Sequence, residues 1–166
     1  LDPTQPVDAT PPISYLRDTD RTALLAVLET LSFDVLAVQE ILDAEALGAL
    51  IEELGAKQNK RYAWAFSENA SGNPQHIGLI VDSDKLSLED VREHTEVDVS
   101  GTLRPGLSAR ITSEGGIDFS VMVLHLASGD SGGRVELRAQ QARQAASIVA
   151  AQRLERMDDD YLVLGD

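Results

Sequence analysis

Phe119-Ser120-Val121-Met122-Val123-Leu124-His125 is the stretch on which the reading of this chain turns. It is a nearly unbroken apolar run, and it ends on an imidazole. Such a run fits a strand covered on both faces of its sheet. Two further runs end in the same manner. Val35-Leu36-Ala37-Val38 leads into Gln39-Glu40, and Tyr161-Leu162-Val163-Leu164 leads into Gly165-Asp166. A carboxylate, an imidazole and a second carboxylate at three strand ends are expected to converge on one rim of one sheet, where open α/β sheets place their ligands.

The 166 residues suffice for one domain with a sizeable core. With 43% hydrophobic residues the chain has the composition of a globular protein. No run of about 20 apolar residues marks a membrane span. There is no cysteine, so disulfides, thiol catalysis and cysteine-held zinc are excluded. Leu1-Asp2-Pro3-Thr4 shows no basic-then-apolar leader, as a mature exported chain also would not, and the compartment stays open. The formal charge is −14. A passive nucleic-acid binder is usually basic. An acidic surface repels polyanions unless a cation or a local basic patch intervenes. The charge therefore reads as a solubility trait, compatible with a divalent metal supplying positive charge at a site.

Residues 1–12 hold four of the six prolines and read as an extended arm, leaving 13–166 as the domain. Asp18 or Asp20 is positioned to cap a helix ending at Leu31, with Leu24, Leu28 and Leu31 on one face. Asp43 caps a second helix that Gly55 is expected to end. Strands are expected at Arg61–Phe66 and His76–Val81, with a polar loop from Ser67 to Gln75 between them. Leu86–Val99 is weakly patterned. Leu107–Thr112 and Ile117–Leu126 form a hairpin across Ser113-Glu114-Gly115-Gly116. A long helix follows over Arg134–Met157, with Ala142, Ala145, Ile148 and Val149 inward, and then the last strand. Helices alternating with strand-rich stretches imply a mixed α/β or α+β architecture.

The three strand-end motifs, in this order and at these intervals, resemble the endonuclease/exonuclease/phosphatase superfamily of deoxyribonuclease-like, metal-dependent phosphoesterases. Phe33-Asp34 resembles the usual entry to the first motif, His76–Asp82 the central strand, and Arg138 with Gln141 an R..Q pair on the helix before the last motif. The resemblance covers roughly residues 20–166. It implies a four-layer sandwich of two mixed β-sheets flanked by helices, present here as an incomplete segment. The family's opening Asn-bearing strand has no counterpart before Glu40, and its GDFN and closing Asp-His motifs are not reached at Asp166. An interior piece of a longer enzyme is the expectation.

The resemblance also implies roles. Glu40 would hold Mg²⁺ or Mn²⁺, hard cations that keep several waters and need only one or two carboxylates. His125 would hydrogen-bond the scissile phosphate, and Asp166 would orient or deprotonate the attacking water. Gln75 falls where the deoxyribonuclease branch has a Glu behind this His; a Gln can orient the ring but carries no charge. The Gly/Ser loop Ser128–Gly133 either offers N–H groups to a phosphate or merely links strand to helix. Tyr62 and Trp64 on one strand face read as packing, and His76 and His94 as structural or surface groups.

The implied function is hydrolysis of phosphate esters by a phosphodiesterase or nuclease, with nucleic acid, a phospholipid head group or a soluble ester as substrate. A non-catalytic interaction domain of the same fold is the alternative. An unrelated acidic α/β protein is a third reading, and it requires Glu40, His125 and Asp166 to lie apart.

Overall fold

The structure, a computed structural model, describes residues 19–68 and 74–166. The Pro-rich arm and its expected boundary, with Asn69, Gly72 and Asn73 of the polar loop, lie outside these residues. The chain divides into two units, Leu1–Ser32 and Phe33–Asp166. In the first, α1 spans Arg21–Leu31. Asp20 caps it, accepting the Ala23 N–H at 3.0 Å, while Asp18 lies outside the described residues. Leu25 and Leu28 are buried, but Leu31, the last residue of the helix before its left-handed cap Ser32, is exposed.

The second unit runs β1 (Val35–Ile41), α2 (Ala44–Gln58), β2 (Tyr62–Phe66), β3 (His76–Asp82), β4 (Ser87–His94), a 3-10 turn (Thr95–Val97), β5 (Gly106–Thr112), β6 (Asp118–Leu124), α3 (Gly132–Arg156) and β7 (Tyr161–Gly165). One sheet has the order β1-β3-β2 and is antiparallel throughout. The other has the order β4-β5-β6-β7, with β6 and β7 parallel. The crossover between those two parallel strands is α3, as parallel neighbours require.

Strand periodicity builds the layers. Ile77, Leu79 and Val81 point one way from β3 and meet Leu107, Ala109 and Ile111 of β5 and Val121 and Val123 of β6. These residues are 0–2% exposed and form the core between the two sheets. The alternate residues of β6, Met122 and Leu124, face outward and pack with Ala145 of α3 and Val97, with Ile148, Val149 and Tyr161 at the margin. On the other sheet, Trp64 of β2 lies against Gly48 of α2, and Tyr62 donates its hydroxyl to Gln58 at 2.7 Å. Helix, sheet, sheet, helix is the four-layer α+β sandwich expected from the sequence, with packing as the role of Tyr62 and Trp64.

Four expectations change in detail. Gly55 does not end α2, which continues to Gln58 and closes on Asn59 in the left-handed region. Gly55 serves as a point of close approach, since a Cβ there would lie 2.7 Å from the Lys60 carbonyl. Ala142 is exposed, and the inward stripe of α3 carries Gln141, Ala145 and Gln152 instead. Leu86–Val99 resolves into β4 and the 3-10 turn. Finally, β7 is an edge strand, with Leu162 and Val163 half exposed rather than covered on both faces.

Candidate active site

Glu40 sits on a β-bulge. Val38 pairs with Gly78 and Ile41 with His76, so three steps along β1 oppose two along β3. The extra residue is accommodated with Glu40 at φ 57°, a left-handed conformation that residues other than glycine seldom adopt. The bulge turns the carboxylate outward, and its side chain is 65% exposed. His125 follows the last residue of β6 and is 5% exposed. Its Nε2 lies 3.7 Å from Glu40 Oε1, too far for a hydrogen bond but within direct electrostatic reach. Its Nδ1 is buried with no hydrogen-bond partner among the described residues. Burial pushes the His125 imidazole below its ordinary pKa, and the Arg104 guanidinium pushes it further; the carboxylates of Glu40 and Asp166 oppose both. The neutral ring is therefore favoured at neutral pH.

Asp166 arrives beside His125 through a tight contact. Gly165 has φ 141°, and a Cβ built there would fall 1.9 Å from the Leu124 carbonyl oxygen. Only glycine lets β7 run this close to β6. The Asp166 carbonyl then accepts the Leu126 N–H at 2.9 Å, which fixes the last residue to the one following His125.

The three sequence-expected residues are thus brought together, with one correction. They do not line one rim of one sheet. Glu40 comes from the β1-β3-β2 sheet and the other two from the β4-β5-β6-β7 sheet, so the cluster lies where corresponding ends of the facing sheets meet. The reading of an unrelated protein with scattered strand ends does not survive this geometry.

Gln75 makes no hydrogen bond to His125 Nδ1, which has no partner among the described residues. Its Oε1 accepts from Arg104 Nε at 3.1 Å and also from Nη2. Arg104, which strand-end reasoning missed, is half-buried between the 3-10 turn and β5. Burial lowers the pKa of its guanidinium and the charge of Glu40 counteracts that. The signal that marks it in the sequence is a cation inside a short Gly/Pro loop, Gly101 to Gly106. An arginine held by a neutral amide keeps its charge uncancelled and has a planar fork suited to a phosphate.

The remaining candidates have structural partners. His76 Nδ1 lies 2.6 Å from the Ser67 carbonyl, and His94 Nε2 is 2.8 Å from Ser108 Oγ in a buried network. In the Ser128–Gly133 loop, Ser131 caps α3 by accepting the Arg134 N–H. Among the described residues no group of three or more His, Cys, Asp or Glu side chains forms a ready cage for a metal. Carboxylate oxygens such as those of Glu40 and Asp166 are the donor type that a hard cation keeping much of its water shell takes.

No protein-family model matches the sequence. No curated protein matches it either. Solved structures match the fold. ANGEL2, described as a 2',3'-cyclic phosphatase, superposes with a TM-score of 0.69 at 17% identity over 87% of this chain and 42% of its own. TDP2 from D. rerio, in complex with a single-strand DNA product, gives 0.60 at 16% identity over 88% and 52%. The mannosyl-6-phosphatase Bt3783 of Bacteroides thetaiotaomicron gives 0.61 at 13% identity over 88% and 55%. The chain spans about half the length of these structures. It has the fold of the deoxyribonuclease-like endonuclease/exonuclease/phosphatase superfamily, as the strand-end motifs implied. Among the described residues no helix is long and apolar enough to cross a membrane.

Proposed function

We propose that this chain carries a metal-dependent phosphoesterase site built on Glu40, His125, Arg104 and Asp166. The observation that supports it best is the 3.7 Å approach of Glu40 Oε1 to His125 Nε2 across two sheets. The fold is shared with proteins described as a cyclic phosphatase and a sugar phosphatase, and with one holding a DNA product. Phosphate-ester hydrolysis needs little covalent help from the protein; positioning and charge stabilisation dominate.

The chemistry follows from the side chains. A Mg²⁺ or Mn²⁺ ion, held by Glu40 with Asp166 as a further oxygen donor, would supply positive charge toward the phosphate oxygens. Arg104, oriented by Gln75, binds a non-bridging oxygen through its fork. His125, neutral at working pH, donates an N–H to the phosphate as charge builds on it. Asp166 accepts the proton of the attacking water. With a net charge of −14 and Arg104 as the cation at the cluster, a small ester is favoured over long nucleic acid.

The test is hydrolysis of bis-p-nitrophenyl phosphate, p-nitrophenyl phosphate and a single-stranded oligonucleotide, with and without Mg²⁺ or Mn²⁺. Turnover that requires the metal and falls by about a hundredfold or more in Glu40→Ala, His125→Ala and Arg104→Met is the expected result. A folded chain with no turnover and no metal binding by calorimetry would leave the non-catalytic interaction domain as the better account.

A further inference from the structure

We propose that Arg138 and Gln141 of α3 are positioning residues that hold His125 in its working place, an assignment that rests on reading His125 as the phosphate-contacting group. After Leu124 the chain leaves β6 and enters a Gly/Ser/Asp loop, in which Gly129 has φ 100°. Such a segment is ordinarily free to move. Here it begins buried, with His125 5% and Ala127 1% exposed. His125 has no hydrogen bond on Nδ1 to fix its ring, so its position depends on the backbone that carries it.

That backbone is held at successive points. The Leu126 N–H goes to the Asp166 carbonyl at 2.9 Å. The Ala127 N–H is accepted by Gln141 Oε1 at 2.8 Å. One Arg138 nitrogen, Nη1, donates to the Ala127 carbonyl at 2.8 Å and to the Gly129 carbonyl at 2.6 Å. Three residues apart, Arg138 and Gln141 share one face of α3 and grip Ala127 from both its polar groups.

Stability alone does not account for Gln141. It is fully buried, and its Nε2 has no hydrogen-bond partner among the described residues. A buried amide with one unmatched donor is a poor choice where an apolar side chain of similar size would fill the space. What Gln141 provides and an apolar residue lacks is the acceptor for the Ala127 N–H. A misplacement of about 1 Å at a reacting group is enough to lower turnover by about a hundredfold.

The experiment compares Gln141→Met, Arg138→Met and Arg138→Lys in the full chain. Arg138→Met alters a half-buried helix face, so folding is retained even if Gln141→Met proves unstable. In bis-p-nitrophenyl phosphate hydrolysis, kcat falls by about a hundredfold in both Met variants, with KM within about threefold of the parent. Arg138→Lys, which retains a donor, keeps most of kcat. In proton–carbon NMR spectra the His125 ring gives one sharp signal in the parent and a broadened or multiple signal in the Met variants, while the His76 and His94 rings do not change. Unaltered kcat with an unaltered His125 signal in folded variants overturns the proposal. The ring signal needs no turnover, so a parent chain without activity, together with a His125 signal that still splits in the Met variants, would sink the phosphoesterase reading and leave the clamp standing.

Discussion

Glu40 is held in a backbone conformation that costs a residue with a Cβ about 1–2 kcal/mol, and it lies on the exposed side of its bulge. Strain of this sort collects at functional sites. Glycine would relieve it, less the conformational freedom that glycine adds to the unfolded chain. Glu40→Gly is therefore expected to raise unfolding free energy by about 0.5–1 kcal/mol in urea titrations while removing metal-dependent turnover. A fall in stability would mean that the Glu40 side chain makes contacts that outweigh the strain. At this scale the sequence reveals what ends a strand and little else. Glu40, His125 and Asp166 were legible because each follows an apolar run. Arg104 was not, because it precedes β5 and its partner Gln75 lies 29 positions earlier in the chain. The bond from Arg104 to Gln75 was hidden for the same reason: hydrogen bonding between loops leaves no periodic trace.

α3 shows what a single element contributes. Its inward stripe is polar at both ends and apolar between, with Gln141 holding the loop after His125 and Gln152 entering a buried network at the far end. There Gln152 Nε2 donates to Ser108 Oγ at 2.9 Å, and Tyr161 donates its hydroxyl to Gln152 Oε1. His94 Nε2 joins at the same Ser108. Burial holds the His94 imidazole below its ordinary pKa; Glu96 opposes this, and Arg92 and Arg156 reinforce it. A histidine with a depressed folded pKa contributes stability that is complete above its unfolded value, near 6.5, and is lost as pH falls through the folded value. His125 acts with the same sign. Stability should thus fall below pH 6.5 with a slope of at most about 1.4 kcal/mol per pH unit for each histidine. His94→Asn should flatten that slope in urea titrations between pH 7 and pH 5, and an unchanged slope would refute the assignment. The sequence announced α3 by its length and placed Ala145, Ile148 and Val149 on its inner face, but it put Ala142 there where Gln141 lies and missed Gln152. β3 and β6 were plain because both their faces are buried. β4 was not, because six of its eight residues are exposed or charged on a sheet edge, and a second bulge at Asp90 breaks its alternation.

For the molecule as a whole, 28 acidic residues against 14 basic ones leave a surplus that repels itself. Salt screens such repulsion over about 10 Å at 0.1 M. The melting temperature is expected to rise by several degrees between about 10 mM and 500 mM sodium chloride, a scan that would fail the prediction if it showed a decrease. The sandwich was legible from the sequence as a set of strands, but its division into two sheets was not. Alternation marks which face of a strand is buried and is silent on which strand lies beside it. That division matters most at the cluster. Glu40 belongs to one sheet and His125 follows a strand of the other, and what holds them 3.7 Å apart is the apolar layer of Ile77, Leu79, Val81, Val121 and Val123 that packs the two sheets together. A slip of one sheet past its neighbour by a single residue is a movement of about 3.3 Å, almost the whole of that gap. The pair therefore works as a gauge of the sandwich: warming that loosens the docking of the sheets would silence the site while each sheet still stood intact.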